Sequence, residues 1–189
     1  MVVEVERTLL RKCRAGDWAA YEAIVRAYEH RVYGMALGLV REPEDARDLT
    51  QDVFIRAFES LELYDPDRPF IGWVLGICRN MCIDFLRRRR RHVRVDEDPD
   101  EGRKVQLPDP RSRTDGGLLD SETRALVWKA LGRLSDDHRE VLVLKDIQDL
   151  EYAEIARILN IPQGTVASRV YYARRALREI LEGMGVQYP

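Results

Sequence analysis

Apolar side chains recur at helical intervals along the chain, and each run predicts one amphipathic helix. The first long run keeps its apolar stripe for about five turns and consists of Tyr21, Ile24, Val25, Tyr28, Val32, Met35 and Leu39. A short helix around Thr8 to Arg14 is predicted before it. Glu42 and Pro43 break the chain and start another helix, with Leu49, Val53, Ala57 and Leu61 toward the core.

Two shorter stripes near the end of the chain predict a helix-turn-helix. The first stripe consists of Tyr152, Ile155, Ala156 and Leu159, and the second of Val166, Val170, Ala173, Leu177 and Ile180. Asn160 is a predicted left-handed C-cap, and Pro162 is predicted in the first turn of the next helix, where its missing N–H costs nothing. Upstream, Ser135 is a predicted N-cap, followed by two aspartates in the positive first turn.

The pattern predicts an all-α fold with two small helical domains, because no segment alternates like a strand. The first domain is predicted over residues 1–91 and includes a loop, YDPDRPF, before a fourth helix from about Phe70 to Arg91. Residues 92–120 carry five basic and eight acidic side chains, three prolines and few large apolar residues, so they are predicted to form a flexible linker. The second domain is predicted over residues 121–189.

Composition narrows the class of protein. The chain has 189 residues, of which 45% are hydrophobic and 34% charged, and this suits packed helical cores. No apolar run approaches the roughly 20 residues that span a bilayer, so no membrane insertion is expected. Three cysteines do not form a disulfide framework. We therefore expect a cytoplasmic protein in a reducing compartment.

The helix-turn-helix carries a localised positive charge. From Ile155 to Arg178 there are five arginines and no acidic residue, on a chain whose formal net charge is −2. A basic face of this kind, next to polar and aromatic side chains on the second helix, indicates contact with DNA phosphates and base edges. The alternative is an ordinary helical hairpin with a solvated basic face.

Three carboxylates fall on one face of the helix after Pro43. Asp45, Asp48 and Asp52 stand three, then four positions apart, with Gln51 beside them. Such a face could bind a metal ion or perform acid–base catalysis. No nucleophile or supporting base accompanies it, so we interpret it as a solvated or partner-binding face, and we predict no catalytic residue.

Cys78 and Cys82 form a second candidate metal site, with His92 ten residues further on. Their spacing matches no known zinc pattern, and cysteine is commonly a small buried hydrophobe. We therefore predict neither a metal nor a cofactor.

Aromatic residues and cations cluster around the loop. Tyr64, Phe70 and Trp73 precede the run Arg87 to Arg91, and aromatic stacking beside cations is how proteins hold unstacked bases. Phe70 and Trp73 are equally consistent with core packing. Tyr64, in the loop, is the better candidate for base contact, and the arginine run is predicted to contact phosphate.

Four blocks of the chain, in this order, resemble the extracytoplasmic-function (ECF) sigma factors of bacterial RNA polymerase. They are AGDWAAYEAIVRAYEHRVYGMA, EPEDARDLTQDVFIRAF, PFIGWVLGICRNMCIDFLRRRRR and LSDDHREVLVLKDIQDLEYAEIARILNIPQGTVASRVYYARRAL. The resemblance implies a two-domain transcription initiation factor without enzymatic activity. It also implies that the linker threads through the polymerase.

The resemblance assigns three sets of residues. Those implied to bind the clamp helices of the polymerase largest subunit are Asp48, Leu49, Gln51 and Asp52. Those implied to open the minus-ten element and capture a base are Tyr64, Phe70, Trp73, Arg79, Asn80, Arg87 and Arg88. Those implied to read the minus-thirty-five element are Gln163, Gly164, Thr165, Ala167, Ser168, Arg169, Tyr171, Tyr172, Arg174 and Arg175.

The resemblance implies three partners: RNA polymerase core, including its flap region; promoter DNA, both double-stranded and melted; and an anti-sigma protein. The free chain is expected to be a monomer.

Many relatives carry a basic residue at the position of Ala167 and another within Tyr171-Tyr172. Phosphate contact by this chain is therefore expected to be weaker, or its preferred DNA sequence different. Two other readings stay open: a free-standing dimeric helix-turn-helix regulator, and a nucleic-acid enzyme that uses Asp48 for metal-dependent cleavage.

Overall fold

Every regular element in the computed structural model, which describes residues 2–93 and 121–186, is helical. The first range contains α1 (Val2–Arg14), α2 (Trp18–Val40), α3 (Pro43–Glu59), a 3₁₀ turn (Leu61–Leu63) and α4 (Phe70–Val93). The second contains α5 (Ser121–Leu131), α6 (Asp136–Leu142), a π-helical turn (Val143–Ile147), α7 (Tyr152–Leu159) and α8 (Gln163–Gly183). The predicted all-α fold with two helical domains is confirmed. Most of the predicted linker, residues 94–120, lies outside the described ranges.

Helix α2 is the centre of the first domain and packs against α1, α3 and α4. Its start is fixed by Asp17, whose carboxylate accepts hydrogen bonds from the backbone N–H groups of Ala19 (3.0 Å) and Ala20 (3.2 Å). It ends at Arg41, which has a left-handed backbone (φ 62°), and Pro43 then opens α3. Helix α1 begins at Val2, earlier than predicted.

The second domain is organised around a buried arginine. Ser135 caps α6 as predicted, accepting a hydrogen bond from the His138 N–H. The buried Arg139 guanidinium donates to the carbonyl oxygens of Leu131 (3.2 Å) and Leu134 (2.9 Å), so the turn between α5 and α6 keeps its polar groups paired. The predicted N-cap at Ser135 is therefore present, and Arg139, which was not predicted, links α5 to α6.

The helix-turn-helix forms as predicted, with one shift at its second helix. Asn160 has φ 54° and ψ 47°, the left-handed conformation expected of a C-cap, and the N–H of Ile161 reaches back to the Ala156 carbonyl (3.0 Å). Helix α8 begins at Gln163, and Pro162 is its N-cap rather than part of its first turn.

The two domains are packed against each other. Helix α6, the π-helical turn and α7 contact α2 and α4, and the buried apolar residues of both domains join one cluster. We call this arrangement the closed form. The sequence left the relation between the domains open, because helical periodicity shows that a face is buried but not which element covers it.

The left-handed Asn160 generates a stability prediction. Asn160→Ala should lower the free energy of unfolding by about 1 kcal/mol, since alanine pays the left-handed backbone penalty. Asn160→Gly is the matched control and should be close to neutral, because glycine adopts this conformation without strain. Urea unfolding followed by circular dichroism measures both variants. An equal loss of unfolding free energy in both variants would mean that the asparagine side chain, rather than the left-handed backbone, accounts for the effect.

Candidate nucleic-acid and partner interfaces

Helix α3 presents a polar face to solvent. Asp48, Gln51 and Asp52 are all exposed on it. Ile55, one turn beyond, is 58% exposed. An apolar residue bordered by exposed carboxylates is typical of a protein-binding surface. The sequence analysis did not select Ile55, although its place three positions after Asp52 was a usable signal.

Two other residues of this helix are less exposed. Leu49 is buried (7% exposed) and packs in the core, as its apolar stripe predicted, so it presents little surface to a partner in this form. Its position on the apolar stripe gives the physical reason. Asp45 is half-buried and accepts a hydrogen bond from Arg89 of α4 (3.3 Å). It therefore joins α3 to the arginine run instead of sharing the exposed carboxylate face.

The cysteines of α4 are core residues. The Sγ atoms of Cys78 and Cys82 are 4.0 Å apart, and both side chains are completely buried. Their mutual hydrogen bond and burial raise the pKa of the Cys78 thiol well above its ordinary value, which disfavours the thiolate that metals bind. Burial likewise raises the pKa of Cys13 to about 11.

Within residues 2–93 and 121–186, no group of three or more His, Cys, Asp or Glu side chains is arranged to hold a metal ion. No helix in those ranges is long and apolar enough to cross a membrane.

The aromatic residues at the loop form a packed cluster. Phe70 is fully buried and Tyr64 is 6% exposed, with ring centroids 5.3 Å apart in an edge-on arrangement. The Tyr64 hydroxyl donates to the Arg68 carbonyl (2.5 Å). Trp73 is half-buried and completes the cluster, 5.3 Å from Tyr64 and 5.7 Å from Phe70.

Tyr64, which the sequence analysis favoured for base contact, is packed inside this cluster rather than lying in an open loop. Neither Tyr64 nor Phe70 presents a free ring face here, because each is covered by the other aromatic rings. The density of aromatic residues at 64–73 was the signal that a core, rather than an open loop, forms at this point. Of the three rings, Trp73 retains the most exposure.

The cations of α4 divide into exposed and paired groups. Asn80, Arg87 and Arg88 are exposed. Arg79 is only 22% exposed and forms a bidentate ion pair with Glu140 of α6. The Nε–Oε1 distance is 2.5 Å and the Nη2–Oε2 distance is 3.3 Å. The pair links the two domains, and Glu140 is buried.

The arginine run also reaches the second domain. Arg90 donates to Asp136 at the start of α6 (2.5 Å). Partial burial would raise the pKa of the Asp136 carboxyl, but hydrogen bonds and charge from Arg90 and Arg139 lower it below its ordinary value. Sequence reasoning missed Glu140 and Asp136 as partners of these arginines, because their contacts depend on how the domains pack.

Helix α8 exposes most of its predicted DNA-facing side chains. Tyr171 (66% exposed) and Tyr172 (57% exposed) project from the helix with rings 5.3 Å apart. The other exposed members of the predicted set are Gln163, Gly164, Ser168, Arg174 and Arg175. The half-exposed members are Thr165, Ala167 and Arg169. All ten therefore lie outside the core, and the buried stripe of Val166, Val170 and Ala173 holds the helix against the domain.

The arginines of α8 have carboxylate neighbours in this form. Arg174 makes two hydrogen bonds with Asp146 of the π-helical turn, one of them 3.2 Å long from Nε to Oδ2. Arg169 lies 3.3 Å from Asp137 of α6. These pairs are largely exposed, so they orient the arginines without contributing much stability.

Two families match the chain, one in each domain. Residues 24–92 match Sigma-70 region 2, and residues 124–177 match Sigma-70, region 4. The chain is 38% identical over 169 residues to ECF RNA polymerase sigma factor SigE of Mycolicibacterium smegmatis, and the alignment covers 88% of this chain and 64% of that protein. It is 30% identical over 179 residues to ECF RNA polymerase sigma factor SigW of Bacillus subtilis, covering 93% and 96%. The chain thus spans just under two thirds of the first relative and nearly all of the second.

Solved structures with a similar fold include two complexes. The sigma factor RpoE bound to the anti-sigma factor NepR, from Bartonella quintana, aligns with a TM-score of 0.74 and 26% identity, over 86% of this chain and 96% of that chain. CnrH bound to the cytosolic domain of CnrY aligns with a TM-score of 0.69 and 26% identity, over 94% and 97%. Because both alignments extend over most of this chain, the similarity includes both domains.

Proposed function

Since this chain belongs to the ECF sigma factors of the sigma-70 family, we propose that its two domains divide polymerase binding and promoter reading between the surfaces described above. The chain is a transcription initiation factor, which binds the RNA polymerase core and directs it to promoters with two elements. One observation supports this most directly: the same chain matches region 2 and region 4. A free-standing helix-turn-helix regulator would leave the first match and the exposed α3 face unexplained.

The polymerase surface that we propose is the exposed face of α3. It consists of Asp48, Gln51 and Asp52, extended by the apolar Ile55. The partner surface is the clamp helices of the largest subunit. An apolar side chain surrounded by carboxylates fits a partner surface that has an apolar groove with basic residues around it. Leu49 contributes by holding α3 against the core.

The minus-ten surface that we propose lies along α4. Arg79, Asn80, Arg87 and Arg88 contact the phosphates and edges of the opening duplex, and Trp73 contacts the unstacked base. Tyr64 and Phe70 are buried and pack against the Trp73 ring. Extracting a base costs a few kcal/mol, and stacking together with backbone contacts offsets that cost.

The minus-thirty-five surface that we propose is the exposed side of α8. Residues near its N-terminus, Gln163 to Ser168, meet base edges in the major groove, and the arginines that follow meet phosphates. Tyr171 and Tyr172, both exposed, provide large apolar contact area on this side of the helix.

The remaining partners follow from the family. An anti-sigma protein is a proposed partner, since the similar RpoE structure contains the anti-sigma factor NepR. Sigma factors are regulatory rather than catalytic proteins, and we propose no enzymatic activity for this one. We also propose that it acts in the cytoplasm, where polymerase is found, and that the free chain is a monomer.

The function itself is tested by run-off transcription. Bacterial core polymerase with this protein should produce discrete transcripts from a pool of the host's own upstream regions, and core alone should not. The active regions should share two spaced sequence elements. Silence, together with no co-elution with core, would refute the proposal and favour a free-standing regulator.

The α3 surface generates a second prediction. The double variant Gln51→Ala, Asp52→Ala should weaken core binding by roughly tenfold, equal to about 1.4 kcal/mol, while leaving the helical circular dichroism unchanged because both side chains are exposed. Glu22→Ala, which removes an exposed carboxylate from α2, is the control and should bind normally. Fluorescence titration with labelled core measures this. Normal binding by the double variant would remove this face from the interface.

The recognition helix generates a third prediction. Ala167→Lys adds one cation to the DNA-facing side of α8. It should steepen the salt dependence of promoter binding by about one phosphate contact, a change of roughly 0.9 in the slope of log K against log salt. Titrations at several salt concentrations measure the slope. An unchanged slope would show that position 167 does not face a phosphate.

A further inference from the structure

The arginines of helix α8 have carboxylate partners, and we propose that one of these carboxylates, Asp146, is a positioning residue for promoter reading. In this proposal Asp146 holds the Arg174 guanidinium in one orientation. Arg174 then contacts a phosphate only when α8 is in register with the minus-thirty-five element. The proposal rests on the proposed function of α8, and it gives an acidic residue a role in the choice of DNA sequence.

The positive charge of α8 is compensated within the second domain. Arg169, Arg174 and Arg175 belong to the proposed minus-thirty-five surface, and each has a carboxylate oxygen within 3.3 Å of its guanidinium. Two of these carboxylates, Asp137 and Asp146, come from elements that precede α7. Their charge lowers the affinity of this surface for any DNA backbone. What the pairs add to DNA reading is therefore orientation rather than attraction.

Asp146 and Arg174 are joined by two hydrogen bonds. The Nε atom of Arg174 donates to Oδ2 of Asp146 (3.2 Å), and Nη2 donates to Oδ1 (2.5 Å). A guanidinium is a rigid planar fork, so two bonds along one edge fix the direction of the whole group. The edge formed by Nη1 and Nη2 is directed away from the carboxylate. This second edge can make a bidentate contact with one phosphate.

The Asp146 carboxylate is carried by a rigid part of the domain. Asp146 lies in the π-helical turn, where the neighbouring Val143 and Leu144 are completely buried. The Lys145 ammonium donates to the Leu150 carbonyl (3.1 Å) and so closes the turn toward α7. π-helical turns of this kind are frequent at functional sites. The orientation given to Arg174 is therefore set by the domain core.

Holding Arg174 changes the free energy of phosphate contact in two ways. A free arginine side chain loses rotamer freedom when it binds, whereas Arg174 has already lost it in the pair, so contact in the correct register costs less entropy. In another register a phosphate lies beside the Asp146 carboxylate, and the like charges repel. A phosphate contact carries no base information of its own, but one that is restricted to a single register supports sequence reading.

Asp146→Asn tests this role, and Asp149→Asn is its matched control. Asp149 is three positions further along the chain, its side chain is 95% exposed, and it pairs with Lys145 rather than with a DNA-facing arginine. Its backbone is left-handed (φ 50°), a conformation that asparagine adopts readily, so the control should fold normally. Both substitutions remove one negative charge near α8, but only Asp146→Asn releases Arg174.

The measurement is the specificity for the minus-thirty-five element. Core polymerase carrying the full-length chain is titrated by fluorescence anisotropy onto two labelled duplexes: an upstream region active in run-off transcription, and the same region with its minus-thirty-five element scrambled. The ratio of the two affinities cancels the general effect of charge. We expect Asp146→Asn to lower this ratio by roughly fivefold, the upper end for an exposed ion pair. Asp149→Asn should leave the ratio unchanged.

A double substitution separates orientation from any other action of Asp146. In an Arg174→Ala background the carboxylate has no guanidinium to hold, so adding Asp146→Asn should no longer lower the ratio. Circular dichroism melting should be nearly unchanged in Asp146→Asn, because an exposed pair contributes little to stability. A loss of specificity that persists without Arg174 would overturn the positioning role.

The outcomes distinguish this proposal from the function on which it rests. If the wild-type complex prefers the native element and Asp146→Asn keeps the same preference, the positioning role is overturned while the minus-thirty-five surface stands. If the wild-type complex binds both duplexes equally, the proposed role of α8 in promoter reading is refuted, and the positioning role is refuted with it.

Discussion

Burial of the C-terminal part of α2, where every residue from Met35 to Val40 is buried, is the constraint on which the rest of this structure depends. Its apolar stripe packs against α1, α3 and α4, and its remaining side receives α6 and the π-helical turn. Val32 and Met35 are completely buried, and Gly34 and Gly38 lie where the second domain packs on the helix. The orientation of the α3 face and of the α4 cations is therefore fixed relative to one central helix.

Much of this architecture could be predicted, because local chemistry decides it. Ser135 and Asn160 cap their helices as expected, since a hydroxyl near free N–H groups and a short polar side chain in a left-handed turn are local solutions. The apolar stripes correctly gave the buried faces. The exposed side of α8 followed from the same periodicity, because residues away from the stripe point to solvent.

What could not be predicted depends on contacts between residues distant in sequence. Tyr64 was placed at an open loop, yet it packs edge-on against Phe70, a contact that periodicity does not encode. Arg79 was selected for DNA, but its ion pair with Glu140 spans 61 positions of the chain. Gly38 has no side chain, so no hydrophobic pattern includes it. Its importance arises only from the Val143 side chain that docks on it.

The closed form leaves the proposed polymerase surface and the proposed DNA surface in different states. Asp48 and Asp52 of the polymerase-facing helix stay exposed while the domains are packed together, whereas Arg79 is held by Glu140. The carboxylate face of α3 is therefore available for contact without any change in the packing of the domains, whereas contact through the Arg79 guanidinium requires its ion pair with Glu140 to be exchanged.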